Sequence, residues 1–124
     1  MAVALACPVV SRNQQRSELV LYGGSIHFAK ETISYQDQQI YGMLAKMKDG
    51  RFQGVQPENV VIQTTQEHGV LRVSEDIFST TQIGDVVLVY PVHSCLMVQA
   101  MGTYMDIATG EKISTMVTQR EDCV

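Results

Sequence analysis

Ile40-Tyr41-Gly42-Met43-Leu44-Ala45-Lys46-Met47-Lys48-Asp49-Gly50 is the stretch whose reading decides the fold. Ile40, Met43, Leu44 and Met47 fall at i, i+3, i+4 and i+7, the spacing of one helix face. Tyr41, Met43, Ala45 and Met47 alternate, the spacing of one strand face. The end of the stretch separates the two readings. Lys48-Asp49-Gly50 is a hairpin turn signal, and Arg51 to Gly54 can pair back across it. Residues 40–47 are therefore expected as strand.

The flanking sequence agrees. Upstream, Val3 to Val10 reads as a buried strand with Pro8 near its end, and the polar run Ser11 to Ser17 as a turn. Glu18 to Tyr22 reads as a second strand, stopped by Gly23-Gly24. Ile26 to Ala29 would continue it past a bend or bulge. Downstream, Val60 to Thr65 and Gly69 to Val73 are rich in β-branched residues. Ser74 can cap one helical turn through Phe78, with Glu75 and Asp76 in its first turn. Gly84-Asp85 leads into Val86 to Tyr90, the most apolar strand, which Pro91 interrupts. Cys95 to Met101 and Thr103 to Ile107 follow, then a Thr109-Gly110 turn, and Ile113 to Val117 closes the sheet. Many short strands at regular spacing predict an all-β fold, a small barrel-like domain with at most a short helical turn.

The 124 residues suit one domain, with 45% hydrophobic and 18% charged residues. The net charge is −4 and no basic cluster stands out, so nucleic-acid binding has no electrostatic support. No apolar run reaches the roughly 18–20 residues of a membrane span. The apolar start lacks a basic leader region and reads as strand. Three cysteines, Cys7, Cys95 and Cys123, make a disulfide framework unexpected and favour a reducing, cytoplasmic setting.

Three clusters could carry chemistry. In Pro91-Val92-His93-Ser94-Cys95, residues two apart on an extended chain point to one side. An imidazole and a thiol aimed at one point suit a borderline-soft divalent ion such as zinc. Two ligands leave positions open for water or substrate. A half-exposed histidine beside a buried free cysteine has the same spacing. In Gln66-Glu67-His68-Gly69, Glu67 and His68 can act as acid and base, or steady a metal ligand. A polar loop with a turn glycine reads the same way. In Tyr22-Gly23-Gly24-Ser25-Ile26-His27, the paired glycines admit close backbone approach, at a ligand or simply at a barrel corner.

Taken in order, these segments resemble the C-terminal β domain of D-serine dehydratases and their D-threonine aldolase relatives. These are fold-type III pyridoxal-phosphate (PLP) enzymes with the alanine racemase architecture. Leu5-Ala6-Cys7-Pro8-Val9-Val10 looks like the strand entering that domain. Leu21 to Lys30 is similar to the family's Tyr-Gly-Gly-x-x-His-x-x-Lys segment. Tyr41-Gly42, Thr65-Gln66-Glu67-His68-Gly69 and Ile83-Gly84-Asp85 through Pro91-Val92-His93-Ser94-Cys95 also match.

The resemblance implies that His93 and Cys95 bind a catalytic metal, zinc or another divalent ion, which engages the substrate hydroxyl. Glu67, His68, His27 and Tyr22 become candidates for the surroundings of that metal. It further implies that residues 1–124 are a single β domain lacking the family's PLP-binding TIM-like barrel and its Schiff-base lysine. Lys30, Lys46, Lys48 and Lys112 sit in the wrong context to replace that lysine. Met97 stands where the family often has threonine. The parent enzyme would take a small D-amino acid. The chain alone is expected to be inactive and to pair with a PLP barrel or with a second copy as a homodimer. Two rivals stand beside this reading. One is a free-standing barrel acting as a binding or assembly module. The other is a metal-dependent hydrolase using His93, Cys95 and Glu67.

Overall fold

The computed structural model describes residues 3–28, 32–45, 47–48, 51–52, 58–92, 101, 103–106 and 109–114. Its elements run β1 (Leu5–Asn13), β2 (Glu18–Tyr22), α1 (Ser25–Phe28), β3 (Ile33–Tyr35), β4 (Gln38–Ile40), β5 (Gly42–Ala45), β6 (Met47–Lys48), β7 (Arg51–Phe52), β8 (Val60–Thr64), β9 (His68–Arg72), α2 (Glu75–Thr80), β10 (Val86–Pro91), β11 (Thr103–Met105) and β12 (Lys112–Ser114). Six of these strands form a closed antiparallel barrel in the order β1-β10-β5-β8-β9-β2, and β2 pairs back with β1. Closure leaves the barrel no free sheet edge.

Alternation explains the barrel. Along β1, Leu5, Cys7 and Val9 are buried while Ala6, Pro8 and Val10 are exposed. Leu19 and Leu21 do the same on β2, and Leu71 on β9. With Leu44, Val61, Val73 and Val89 these residues fill the interior, and Phe78 of α2 joins them. A side-chain period of two puts every such residue on one face of its strand. The alternation on β1 breaks where the pairing with β2 slips between Val9 and Ser11, and Val10 and Ser11 are both exposed there.

The all-β expectation holds, and residues 40–47 carry strand and no helix over the residues described. Lys48 pairs with Arg51, as a hairpin at Asp49-Gly50 requires. The Ser74 cap is present: its Oγ accepts from the Ile77 N–H at 3.4 Å.

Other expectations are corrected. β1 runs on to Asn13, so the first turn is Gln14 to Ser17. Ile26 to Phe28 is helical, not a continued strand, because the backbone after Gly24 bonds to a distant turn instead of a strand partner. Among the described residues helix is confined to the short α1 and α2 and to Met101, in keeping with the all-β expectation. Pro91 does not interrupt β10 but ends it, paired with Gly42. Of the strand expected over 95–101 only Met101 is described, and it is helical. Ile113 does not close the barrel. It pairs with Tyr104 in a separate ribbon of β11 and β12. The β3–β4 hairpin was not foreseen. Its turn residues Gln36 and Asp37 have φ of 49° and 63°, the left-handed pair of a tight hairpin, without a glycine to announce it.

Candidate functional site

The registers show which strand ends share a rim. β10 finishes with Pro91 opposite Gly42, where β5 begins. Gly42 pairs with Val61 of β8, which runs on to Thr64 opposite Gly69. His68, the residue before Gly69, pairs with Tyr22, the last residue of β2. Leu21 lies opposite Val9, so β2 ends toward the Leu5 end of β1. One rim therefore gathers the exit of β10, the 65–68 turn, the end of β2 and the start of β1. His93, Ser94 and Cys95 follow Pro91-Val92 in sequence and lie outside the described residues.

The other candidates are brought together. Tyr22, 46% exposed, stands between two imidazoles. Its ring centroid is 5.5 Å from that of His27 and 5.8 Å from that of His68, edge to face at 65° and 72°. His68 is its directly paired cross-strand neighbour. His27 arrives by a different route. After β2 the chain turns at Gly23-Gly24 into α1, clamped against the 65–68 turn by three backbone bonds. The N–H groups of Gly23, Ser25 and Ile26 donate to the carbonyls of Glu67, Thr65 and Gln66 at 2.9, 2.9 and 3.1 Å. The turn is itself closed by Thr65 N–H donating to the His68 carbonyl at 2.8 Å.

The helical turn sets the tautomer of His27. The Gly24 N–H donates to His27 Nδ1 at 3.0 Å, so a neutral ring carries its proton on Nε2. An extended chain after Gly24 does not make this bond, so it does not follow from the strand expected there. The signal was present as a three-residue spacing from Gly24 to His27, which only a turn can close. Glu67 and His68 are exposed on the same turn. The rim thus presents a phenol, two imidazoles and a carboxylate, groups able to donate, accept or hold a proton.

Among the described residues, no group of three or more His, Cys, Asp or Glu is placed to hold a metal ion. Cys7 is no substitute for Cys95. It is fully buried in the barrel, and burial pushes its thiol up to about 12, so it stays protonated where a metal needs thiolate. No helix among the described residues is long and apolar enough to cross a membrane.

The chain belongs to the family described as "Putative serine dehydratase domain", whose profile matches residues 2–107. A search of curated proteins returned no significant match. Solved structures share the fold. An alanine racemase-like protein from Idiomarina loihiensis superposes with a TM-score of 0.71 at 22% identity, over 89% of this chain and 30% of that one. D-threo-3-hydroxyaspartate dehydratase from Delftia sp. HT23 gives 0.69 at 21% identity, over 90% and 30%. That dehydratase is also known as a variant with one cysteine replaced by alanine, in the metal-free form, and as a variant with the histidine two positions earlier replaced by alanine. The present chain spans 30% of the length of each of these neighbours.

Proposed function

We propose that this chain is the metal-carrying β domain of a PLP-dependent dehydratase or aldolase-like enzyme acting on a small β-hydroxy D-amino acid, with His93 and Cys95 as the metal ligands. Family membership over residues 2–107 supports the enzyme class. The observation that carries the ligand assignment is spacing. The histidine and cysteine replaced in the Delftia dehydratase, one variant of which is a metal-free form, lie two positions apart, as His93 and Cys95 do.

Donor chemistry fits the group. Imidazole and thiolate together favour zinc among the common divalent ions. A divalent ion held there supplies Lewis-acid polarisation of a substrate hydroxyl. The chain's own residues do the rest. The rim fixes Tyr22, His27 and His68 at the end of the barrel from which the His93 segment departs. His27, locked as the Nε2–H tautomer, holds a proton ready to donate. Glu67 and His68 present a base and an acid on a turn that three backbone bonds hold rigid.

In this reading residues 1–124 are one domain and the cofactor barrel lies outside it. The chain alone is inactive and binds no PLP covalently. It works in a reducing, cytoplasmic setting, which keeps a thiolate ligand available.

The test is a zinc titration of the purified chain followed by calorimetry, with circular dichroism as the check on folding. The wild-type chain is expected to bind one zinc. His93→Ala and Cys95→Ser should each weaken binding roughly tenfold or more while the spectrum of the folded chain is kept. Zinc affinity unchanged in both variants would remove the assignment.

A further inference from the structure

α1 is a single turn, Ser25–Phe28, so its first backbone donors must find acceptors outside it. Ser25 and Ile26 N–H donate to the carbonyls of Thr65 and Gln66. Gly24, at the cap position, is buried, and its carbonyl accepts from the His27 N–H at 2.9 Å. Its own N–H donates to His27 Nδ1 at 3.0 Å. His27 stands three residues after the cap. A capping box carries Glu or Gln there, and its oxygen accepts from the N–H of the cap residue. Here an imidazole nitrogen takes that place, and imidazole gains a charge between about pH 8 and pH 5, where glutamine does not. We infer that His27 is a proton-operated latch: the neutral ring holds Gly24 and stands beside Tyr22, and a second ring proton expels it.

The step is the transfer of one proton from water to Nδ1. A neutral imidazole has one acceptor nitrogen, and in His27 the Gly24 N–H occupies it. The added proton turns that nitrogen into a donor. Two N–H groups then face each other without an acceptor between them, and one of the two has to move. Gly24 is held. A Cβ built on it would lie between 2.5 and 2.7 Å from three backbone atoms of the 65–68 turn, so the chain lies against that turn without slack. On either side of it, Gly23 and Ser25 are bonded to Glu67 and Thr65. The half-buried imidazole can turn about its own side-chain bonds, so the ring leaves. It then gives up its edge contact with Tyr22, which keeps His68 alone. The buried Gly24 N–H loses its acceptor, and that loss sets the cost of opening the latch.

Among the described residues, the titratable groups on the elements packed against His27 are Tyr22 of β2 and Glu67 and His68 of the 65–68 turn. Glu67 is exposed, where water and salt screen its pull on an imidazolium. A charged His68 repels a charged His27 across Tyr22, which favours the same release. The latch is built from rim residues and needs no metal at His93 and Cys95.

The experiment is a pH titration of the full chain from about pH 8 to about pH 5, followed in proton–nitrogen correlation spectra of backbone amides and imidazole rings. A chelator in the buffer keeps metal release in acid from imitating the transition. The Gly24 amide is expected to shift with the midpoint of the His27 ring. Its exchange with solvent, corrected for pH, should speed roughly tenfold or more as the bond is lost. In His27→Gln, whose side-chain oxygen accepts and does not titrate, the Gly24 transition should vanish. In His68→Gln it should persist. A Gly24 amide that stays in place while the His27 ring titrates overturns the latch. So does a transition that survives in His27→Gln, or one lost in His68→Gln, which makes His68 the trigger. The amide of Val89, fully buried in the barrel, should not move, and movement together with Gly24 means a global change and overturns the latch as well. Should His27→Gln fail to fold, the wild-type midpoints and His68→Gln decide.

Discussion

A Cβ placed on Gly24 would lie 2.5 Å from the Thr65 carbonyl oxygen, 2.6 Å from the His68 nitrogen and 2.7 Å from the Gln66 carbonyl oxygen. All three are backbone atoms of the turn that clamps α1, so none can rotate aside. Gly24→Ala must push the turn away and strain the bonds from Gly23, Ser25 and Ile26 together. A loss of about 3 kcal/mol is expected in urea denaturation, at the upper end of ordinary overpacking. Loss below about 0.5 kcal/mol would mean the clamp yields easily, on the scale of ordinary surface substitutions. Cys7 gives a second prediction at this scale. Its folded thiol keeps its proton up to about 12, while the exposed thiol of the unfolded chain loses it near the ordinary value of 9.0. Between those values the native state holds the extra proton. Its stability is at full value below about pH 9 and drains as the pH rises toward 12. The slope is on the order of 1 kcal/mol per pH unit. Burial also raises the Tyr90 phenol, which adds loss of the same sign. Comparing Cys7→Ala with wild type isolates the thiol. The variant's melting temperature should fall less steeply from pH 9 to 11, and equal slopes would contradict the assignment.

At the scale of elements, α2 shows how a short helix is held by groups from elsewhere. Asn59 is fully buried, and its Oδ1 accepts from the Ser74 N–H at 2.8 Å, next to the cap that Ser74 makes to Ile77. Asn59→Ala leaves that N–H without its acceptor and empties a buried site. About 2 kcal/mol should be lost by thermal or urea unfolding. Loss of only a few tenths would show that water replaces the amide. The helix start was legible from Ser74-Glu75-Asp76, because capping and first-turn charge are local. The strands Glu18–Tyr22, Val60–Thr64 and Val86–Tyr90 were legible for the same reason: alternation and β-branching act over a few residues. What escaped was non-local. Ile26 became helical because Thr65 and Gln66, some forty residues away, supply the acceptors of Ser25 and Ile26 respectively. Ile33 and Ile40 pair across a polar turn that carries no glycine signal. Ile113 found Tyr104 instead of the barrel. The site divides along the same line. Tyr22, His27, Glu67 and His68 were singled out from sequence as separate clusters. That three of them stack at one rim depends on a register between β2 and β9 that no local pattern encodes.

Across the whole molecule, the pairing of β1 with β10 joins Leu5 to Val89 and closes the barrel only when distant parts of the chain meet. The inner face of this pair is core. Its outer face is also apolar, which closure alone does not require. Ala6 lies opposite Leu88 and Pro8 opposite Val86. Val10, Val86 and the nearby Ile83 are 43%, 60% and 63% exposed. No charged residue lies among these six. Exposed apolar residues gathered on one side, here with one charged residue, the exposed Asp85, between Ile83 and Val86, tend to find a partner, and a symmetric pair is the simplest closed arrangement when one chain is present alone. The isolated chain should therefore self-associate. Its sedimentation coefficient should fall on dilution through the micromolar range, and Val86→Glu should shift it toward monomer. Because Val86 points away from the core, the variant's circular dichroism and melting temperature should stay close to wild type. A chain that sediments as a monomer at every concentration would show that this face is stable in water, and the expected dimer would be lost with it. A dimer unaffected by Val86→Glu would place the contact elsewhere, with the exposed Tyr22 and Ile26 at the rim where β2 ends as the next surface to substitute.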